Sequence, residues 1–543
     1  MHRRHKAGST KRWRARLTVL ATVIVSGCTV GPEFQRPDWA SPASWFSPAA
    51  TPAKPAAKST LIQPVAEPVD PNWWGSFGDP ILIALVRRVA AENMDVQIAA
   101  LRLEQSRAQL GSVRAAEFPR FGANTSYNRQ KSSDEGQFSL NPNSLGANGA
   151  QGNAAGATRR KLGEFDVFQF GLDASWEIDL WGGVKRAVES AAASLEAANE
   201  SRRSVLLSAM AEVARDYILL RGVQTQLAIA RDNIRVARQS LALTKQRAAG
   251  GLTTDLDVAN ASVQLSNTLA QIPRLEQQEA ALMNALALLL GQPPHSLRAE
   301  LATARAVPPV PPKVPVGVPA ELARRRPDIR QAEARLHAET AAIGVAIAEF
   351  YPSIRLGGSF GLQSLSIGQL FGLSARQYAA GGGITIPLFE GGRLRANLEL
   401  HEARQQEAAI EYQRAILNAW HEVDNALNAF RAEQVRREAL IQATAESKRA
   451  LGLAQDRYGQ GVADFLTVLD AQRNQLSTQL QLADSTTTVS ANLIGLYKAL
   501  GGGWEADLPD TGAPSAAPKA FPKPVVLDLP PLTPSADKKP PAR

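Results

Sequence analysis

The chain contains the same helical hairpin twice, and this repeat limits its fold more than any other feature. The clearer copy, 457–473, reads RYGQGVADFLTVLDAQR. Gly459 and Gly461 favour the end of a helix, and Asp464 is a typical N-cap for a returning helix. At an offset of 210 residues, the segment 247–261 carries residues of the same kind at seven positions. The sequence therefore predicts an internal duplication built around antiparallel helices.

Each copy begins with a helix that ends at an aromatic–proline pair. Helical periodicity covers 79–117 and 327–348, and the two segments match at an offset of 233 residues. Phe118-Pro119 and Tyr351-Pro352 follow them, and each helix should end there because proline cannot continue a helix. The apolar period then changes from about 3.6 to about 2 residues, which predicts a strand after each helix.

Four segments alternate between apolar and polar residues, as strands with one apolar face do. Their apolar positions are Phe121, Ala123, Thr125 and Tyr127; Phe168, Phe170, Leu172, Ala174, Trp176 and Ile178; Ile354, Leu356, Phe360 and Leu362; and Gly382, Ile384, Ile386 and Leu388. Each segment is close to the ~10 residues that a tilted strand needs to cross a bilayer. A soluble sheet is the alternative. Four strands cannot close a membrane barrel, since the smallest barrels have about eight, so we expect an oligomer.

A very long helix is predicted after each pair of strands. Residues 186–249 contain no proline, and apolar residues recur at every seventh position from Leu206 to Leu241. Ala409 to Phe430 repeats this spacing in the second copy. At about 1.5 Å per residue, such helices run on the order of 90 to 100 Å. A filamentous coiled coil is the alternative, but one strong apolar position per heptad suits a curved wall with water on one face.

The N-terminus has the build of a secretory signal that ends at a cysteine. An apolar run, 17–25, follows a basic start and precedes Cys28, the one cysteine of the chain. We predict a signal peptide over 1–27 and a lipid attached to Cys28; the alternative is a lone buried thiol. The Pro-, Ala- and Ser-rich composition that follows predicts a lipid-anchored tether over 28–72.

The net charge of +9 would suggest a nucleic-acid or membrane-surface binder if the basic residues were spread along the chain. Seven of them fall within the first sixteen residues, so the rest of the chain is nearly neutral. No other stretch interleaves basic and aromatic residues, and no nucleic-acid partner is expected.

The sequence shows no catalytic constellation. The histidines that follow the predicted signal peptide are scattered: His295, His337, His401 and His421. The pattern HExxH is absent, the one match to GxSxG, 357–361, lies within a predicted strand and not after one, and no phosphate-binding glycine loop follows a strand. The protein is therefore predicted not to be an enzyme, and the only attached group expected is the lipid on Cys28.

These features resemble the TolC-like outer-membrane efflux protein family. The similarity lies in the motifs SGCTVGPEFQRP, RRRPDIRQAEARL and YGQGVADFLTVLDAQR, and it extends over about residues 28–504. It points to the lipoprotein (NodT-type) branch, whose members are outer membrane factors of resistance–nodulation–division tripartite efflux systems. Thr29, directly after the cysteine, suits delivery to the cell outer membrane.

The resemblance implies an α+β membrane protein. The expected assembly is a homotrimer whose 12-stranded outer-membrane β-barrel, four strands per chain, continues as a long α-helical barrel in the periplasm. Such a channel passively exports small molecules such as drugs, with a periplasmic adaptor (membrane fusion) protein and an inner-membrane resistance–nodulation–division pump as partners. The alternative is the outer-membrane component of a type I protein secretion system.

The resemblance and the repeat together divide the chain into domains. The first repeat would cover 73–290 and the second 327–504, joined by a Pro-rich equatorial linker over 291–326. A disordered Pro-rich tail is expected over 505–543.

Leu466, Asp470 and Arg473 follow the spacing i, i+4, i+7 and so share one helix face. The resemblance implies that a threefold axis turns them into rings that form a periplasmic gate and favour cations. An ion pair between Asp470 and Arg473 on a solvated face is the alternative. Tyr458 and Arg457 match family residues that join neighbouring helices at the closed tip.

The two hairpin tips, 250–253 and 459–462, are the predicted contacts with the adaptor. The contact residues would be Gly251, Leu252, Thr253, Gly461 and Val462. Small residues would let a partner helix approach the backbone, and Leu252 and Val462 would offer apolar contacts. Plain turn chemistry is the alternative; it explains the glycines but not the apolar residue after each one.

Overall fold

A computed structural model describes residues 29–37, 62–65, 67–131 and 164–505. Cys28, the predicted signal peptide and the predicted tail from residue 506 onward lie outside the described residues.

Helices and strands alternate in the order expected for two copies of one unit. The helices are α1 (Pro80–Glu92), α2 (Met94–Arg114), α3 (Gly183–Ala249), α4 (Asp255–Leu269), α5 (Gln271–Leu289), α6 (Arg298–Leu301), α7 (Pro319–Arg325), α8 (Pro327–Ala348), α9 (Arg393–Gly459) and α10 (Phe465–Ala499). The strands are β1 (Gln63–Val65), β2 (Arg120–Gln130), β3 (Phe165–Ile178), β4 (Lys313–Pro315), β5 (Ser353–Ser364) and β6 (Arg376–Thr385). Short 3₁₀ turns occupy Trp73–Phe77, Ala115–Glu117, Ile367–Gln369 and Leu373–Ala375.

The two predicted long helices are confirmed. α3 and α9 each have 67 residues, and their ends lie 210 positions apart in the sequence. Gly182 and Gly392 precede them with φ values of +77° and +89°, a left-handed turn that glycine adopts without steric cost. At about 1.5 Å per residue each helix is roughly 100 Å long. Within the described ranges, no helix is both long enough and apolar enough to cross a membrane.

The predicted strands form one antiparallel sheet in the order β2-β3-β5-β6. Its register brings the apolar positions of all four strands to one face; Leu172, for example, lies opposite Ala123 on one side and Phe360 on the other. These side chains are exposed or half-buried in the single chain, with Phe121 at 80% and Tyr378 at 84% exposure. The sheet therefore presents an uncovered apolar band, and among the described residues β2 and β6 each have one edge without a partner strand.

The helix predicted over 79–117 is interrupted. Asn93 ends α1, and its side-chain oxygen accepts hydrogen bonds from the N–H groups of Asp95 (2.9 Å) and Val96 (3.1 Å), which starts α2. Its side-chain nitrogen donates to the carbonyl of Leu289 at 2.8 Å. Apolar periodicity continues across this cap, and for that reason the sequence pattern did not reveal the break.

The prediction for the fourth strand was wrong at its C-terminal end. β6 stops at Thr385, so Ile386 and Leu388 lie beyond it. Pro387 offers no N–H for pairing and restricts the backbone of the residue before it. Thr385 already pairs with Ser353, the first residue of β5, so the neighbouring strand offers no further partner.

Part of the segment predicted to be a tether is ordered against the body. The N–H of Val30 donates to the carbonyl of Trp181 at 3.0 Å. Buried Arg186 donates to the carbonyl of Val30 (3.1 Å) and to the carboxylate of Glu33 (2.7 Å), while β1 pairs in parallel with β4. Composition alone predicted irregular structure because the partners of these residues lie far away in the sequence.

The main core joins the start of the body to the end of α10. Trp73 is fully buried, its ring stacks on Tyr497 at 5.3 Å between centroids, and its indole nitrogen donates to the carbonyl of Gly502 at 3.1 Å. Arg326 donates to the carbonyl of Ala499 at 2.7 Å. These contacts fix the C-terminal end of α10, which lies opposite the tip of the second hairpin. Because the helices of the hairpin are rigid, the same contacts also set the position of its tip.

Candidate gate and docking tips

The two hairpin tips have the same backbone geometry. Gly251 and Gly461 occupy the left-handed region, with φ values of +68° and +76°. The N–H of the next residue reaches back to the carbonyl of the arginine five positions earlier, at 2.8 Å from Leu252 and at 2.9 Å from Val462. This is the hydrogen bond that closes a helix C-terminus in a Schellman motif. The glycines are therefore required by the turns themselves.

The turns do not require the apolar residue that follows each glycine. Leu252 is 70% exposed and Val462 is 64% exposed. Thr253 is half-buried and donates its hydroxyl hydrogen to Asp257, so its side chain belongs to the turn. Each tip therefore offers one aliphatic side chain to a partner.

Each returning helix is capped by its own side chains. Thr254 and Asp257 form a capping box at α4, and Asp464 caps α10 by accepting a hydrogen bond from the N–H of Thr467 at 3.0 Å. The hydroxyl of Thr467 also donates to Asp464 at 2.6 Å. These hydrogen bonds favour the charged carboxylate and lower the pKa of Asp464.

The predicted gate residues lie together on one exposed face of α10. Leu466 is 49% exposed, and Asp470 and Arg473 are exposed as well. The guanidinium Nε of Arg473 donates to the side-chain oxygen of Gln264 at 3.1 Å, and in the part of the chain described here no ion pair joins it to Asp470. The carboxylate is therefore available to face other copies of the chain.

Tyr458 joins the two hairpins of one chain. Its ring is 4% exposed and packs on Phe465 at 5.6 Å between centroids. The guanidinium of Arg247 lies 4.7 Å above the ring and donates to the carbonyls of Tyr458 (3.0 Å) and Gly459 (3.3 Å). Arg457 is exposed, and its side chain makes no hydrogen bond to another described residue.

Sequence reasoning missed Arg247 and Gln264 as residues of this region. The available signal was the repeat, which places Arg247 at the position equivalent to Arg457. The sequence also shows a difference between the two hairpins: Asn260 and Val263 occupy the positions equivalent to Asp470 and Arg473. Only the second hairpin carries the charges of the predicted gate.

The described residues show no sign of a catalytic or metal centre. They contain no group of three or more His, Cys, Asp or Glu residues that could hold a metal ion. His337 stacks on Phe34 at 4.5 Å and contacts Glu189 at 3.0 Å, so it packs the N-terminal segment.

Comparison with known proteins decides the family. The family model described as outer membrane efflux protein matches residues 85–292 and 318–502. The chain belongs to the outer membrane efflux protein family. It is accordingly a protein of the outer membrane and not an enzyme.

Curated relatives match over nearly their whole length. The pyoverdine export outer membrane protein OpmQ of Pseudomonas putida is 36% identical over 475 residues, which are 87% of this chain and 93% of OpmQ. The outer membrane protein OprJ of Pseudomonas aeruginosa is 34% identical, with 90% of this chain and 95% of OprJ covered. The solved structure of the outer-membrane channel OprN superimposes with a TM-score of 0.77 at 32% identity and covers 88% of this chain and 100% of OprN. The fold is therefore that of these channels.

The cap at Asp464 predicts a pH-dependent tip. Because the folded state lowers the pKa of this carboxyl, its stabilising effect is present above the unfolded-state pKa and is lost as the pH falls through the lower folded-state value. Asp464→Ala should speed hydrogen exchange of the first amides of α10 near pH 7, and the difference from the natural chain should shrink in acid. Asp255→Ala, next to the Thr254 cap, is the matched control and should leave those amides unchanged. If the exchange rates of the variant and the natural chain differed by the same factor at every pH, the carboxylate of Asp464 would not have the role proposed here.

Proposed function

We propose that this protein is the outer-membrane exit duct of a tripartite efflux pump. The proposal is supported by one observation: the predicted gate face and the predicted docking residues lie next to each other at one end of the molecule. The start of α10 carries Leu466, Asp470 and Arg473 on an exposed face, and the neighbouring tips expose Leu252 and Val462. A channel that is closed until a periplasmic adaptor docks needs both a constriction and an accessible apolar contact beside it.

The proposed assembly is a homotrimer. Among the described residues, the sheet has an uncovered apolar band and two edges without a partner strand; lipid would cover the band, but the open edges are not tolerated in a bilayer unless the strands close into a barrel. If β6 of one copy pairs with β2 of the next, three copies supply twelve strands, a number within the range of outer-membrane barrels, which starts at about eight. The long helices then continue the barrel into the periplasm.

The chain itself would be an internal duplication. We assign the first repeat to 73–290 and the second to 327–504, with an equatorial linker over 291–326. The equal lengths of α3 and α9 and the matching tips support this division. The Asp470 carboxylates of three chains would then form one acidic ring, because Asn260 replaces the acid in the first repeat.

The cargo class we favour is small molecules, moved passively. OpmQ is named for pyoverdine export, which is the export of a small molecule, and this supports a small-molecule pump over the alternative of type I protein secretion. The energy would come from an inner-membrane resistance–nodulation–division pump, joined to the duct by the periplasmic adaptor.

Cys28 is the proposed site of lipid attachment. Thr29, the residue after Cys28, packs against Gly182, where any side chain would collide with Thr29. Gly182 lies four residues after the end of β3, so the acylated cysteine would lie at the periplasmic end of the sheet. A lipid there would insert into the inner leaflet of the same outer membrane.

The gate is tested by conductance in a planar bilayer. Asp470→Ala should raise the conductance of the purified trimer and reduce its preference for cations, because the acidic ring both narrows the tip and attracts cations. Glu446→Ala, an exposed carboxylate on α9 outside the predicted gate face, is the control and should leave both quantities unchanged. A purified protein that gives no current in either form would contradict a pore altogether.

The docking tips are tested in cells and in the bilayer together. Leu252→Asp combined with Val462→Asp places charges where an apolar contact is proposed, so efflux of a fluorescent dye should fall to the level of a strain without the duct. The conductance of the isolated trimer should not change, because neither side chain packs within the chain. Leu252→Met with Val462→Met keeps the apolar character and should preserve export. Normal efflux by the charged variant would rule out these tips as the adaptor contact.

A further inference from the structure

One basic side chain lies at the outer end of the apolar band, where outer means away from the long helices. Arg376 begins β6 and pairs directly with Leu362 of β5. Directly paired residues share a face of the sheet, so Arg376 lies on the apolar face. Its side chain is exposed and has no hydrogen bond or ion pair to another described residue. A cation on a face that lipid covers is unfavourable unless an anionic group lies beside it.

The loop that precedes Arg376 is apolar although it is exposed. Residues 356–375 contain no charged side chain. Within the loop, Leu365, Ile367, Phe371 and Leu373 are between 65% and 79% exposed. An exposed apolar surface of this kind is typical of a binding site, and this one lies next to the apolar band of the sheet. The surface around Arg376 therefore combines a basic group with apolar side chains.

The register of the sheet predicts which residue of the next copy lies opposite Arg376. The row of paired residues through Arg376 continues across the sheet as Leu362, Phe170 and Thr125. Thr125 lies five residues before Gln130, the outer end of β2. The strand ends therefore step by roughly 1.7 residues per strand, and a closed barrel requires a constant stagger. One further step takes the row past Gln130 of the next copy, to the level of Lys131.

Lys131 would lie on the same face as Arg376. It continues the alternation of Tyr127 and Arg129, which belong to the apolar face of β2. Its side chain is exposed and makes no contact with a partner in the part of the chain that the structure describes. Like charges directly opposite each other on a sheet are destabilising. An anion between Lys131 and Arg376 would remove this repulsion.

The acidic side chains nearby already have partners. Glu164 forms an ion pair with Arg129 at 3.0 Å, and Asp166 accepts a hydrogen bond from the hydroxyl of Tyr127 at 3.0 Å. Together with the two facing cations, these groups comprise three basic and two acidic side chains. The junction between copies therefore keeps a positive charge and two cations that are free to bind an anion.

We propose that each junction between β6 and β2 of the next copy binds a phosphorylated lipid of the outer leaflet. Arg376 of one copy and Lys131 of the next donate to the phosphate oxygens, as basic side chains do at lipid headgroup sites. Phe371 and Leu373 contact the acyl chains. The bound lipid removes the repulsion between the cations and so joins the two copies at the outer end of the barrel. The inference rests on the proposed function, since the site needs a trimeric barrel.

Native mass spectrometry of the purified, delipidated trimer tests this site, with lipid A that carries two phosphates as the probe. The trimer should bind up to three molecules. Lipid A without phosphates should bind at least about tenfold more weakly, because it offers no anion to the two cations. A large excess of inorganic phosphate should not displace lipid A, because phosphate cannot use the apolar loop. Equal binding of the dephosphorylated lipid, or displacement by phosphate, would contradict the assigned ligand.

Substitutions locate the site. Arg376→Gln and Lys131→Gln should each lower the affinity for lipid A about tenfold, because each removes one charged donor. Arg120→Gln is the matched control, since Arg120 is an exposed arginine at the other end of β2 and on the opposite face; it should leave the affinity unchanged. Phe371→Ser with Leu373→Ser should also weaken binding if the loop contacts the acyl chains.

The same spectra separate the failure of this site from the failure of the assembly. If both charge variants bind lipid A as the natural chain does, the proposal is wrong, and normal binding by the loop variant would exclude the contact with the acyl chains. A trimer that binds no lipid A overturns this inference alone. A protein that has the mass of a single chain overturns the proposed trimer, and this inference with it.

Discussion

The unpaired edges of the four-stranded sheet are the constraint on which the rest of this structure depends. β2 and β6 each leave a row of backbone N–H and C=O groups without a partner strand among the described residues, and an apolar band covers one face. Water would satisfy those edges but not the band, whereas lipid would cover the band but not the edges. Closure by further copies would satisfy both, and it would also place the long helices side by side as a continuous wall.

The two copies of the hairpin share their backbone geometry but differ in their side chains. The backbone geometry of the two tips is the same, yet the charged gate residues occur only in the second copy. Side-chain hydrogen bonds, such as the one from Asn233 to Gln479, likewise join the two hairpins of the chain, whereas Ala443 and Leu269, which lie 210 positions away from these two residues, cannot form one. In the proposed trimer, the repeated hairpin would supply a nearly sixfold ring of helices, and the differences between its two copies would reduce the symmetry of that ring to threefold.

Local rules predicted most of the fold, and contacts distant in sequence account for what they missed. Heptad spacing without proline gave α3 and α9, and alternation gave the sheet, because both patterns are properties of one element. The break at Asn93 and the docking of Val30 onto Trp181 depend on partners far along the chain, which no local pattern encodes. At the candidate site, spacing placed Leu466, Asp470 and Arg473 on one face. The contact of Arg247 with Tyr458 was not predicted, although the repeat aligns Arg247 with Arg457, because a sequence repeat does not show which helices pack against each other.

The central claim is that three chains close one barrel by pairing β6 of each copy with β2 of the next. Electron cryomicroscopy of the mature protein in lipid nanodiscs tests it most directly. The account predicts a threefold particle with a closed barrel of twelve strands in the bilayer, four from each chain, and hairpin tips at its far end. A particle in which the four strands of a chain pair with no second copy, or lie outside the bilayer, would contradict it.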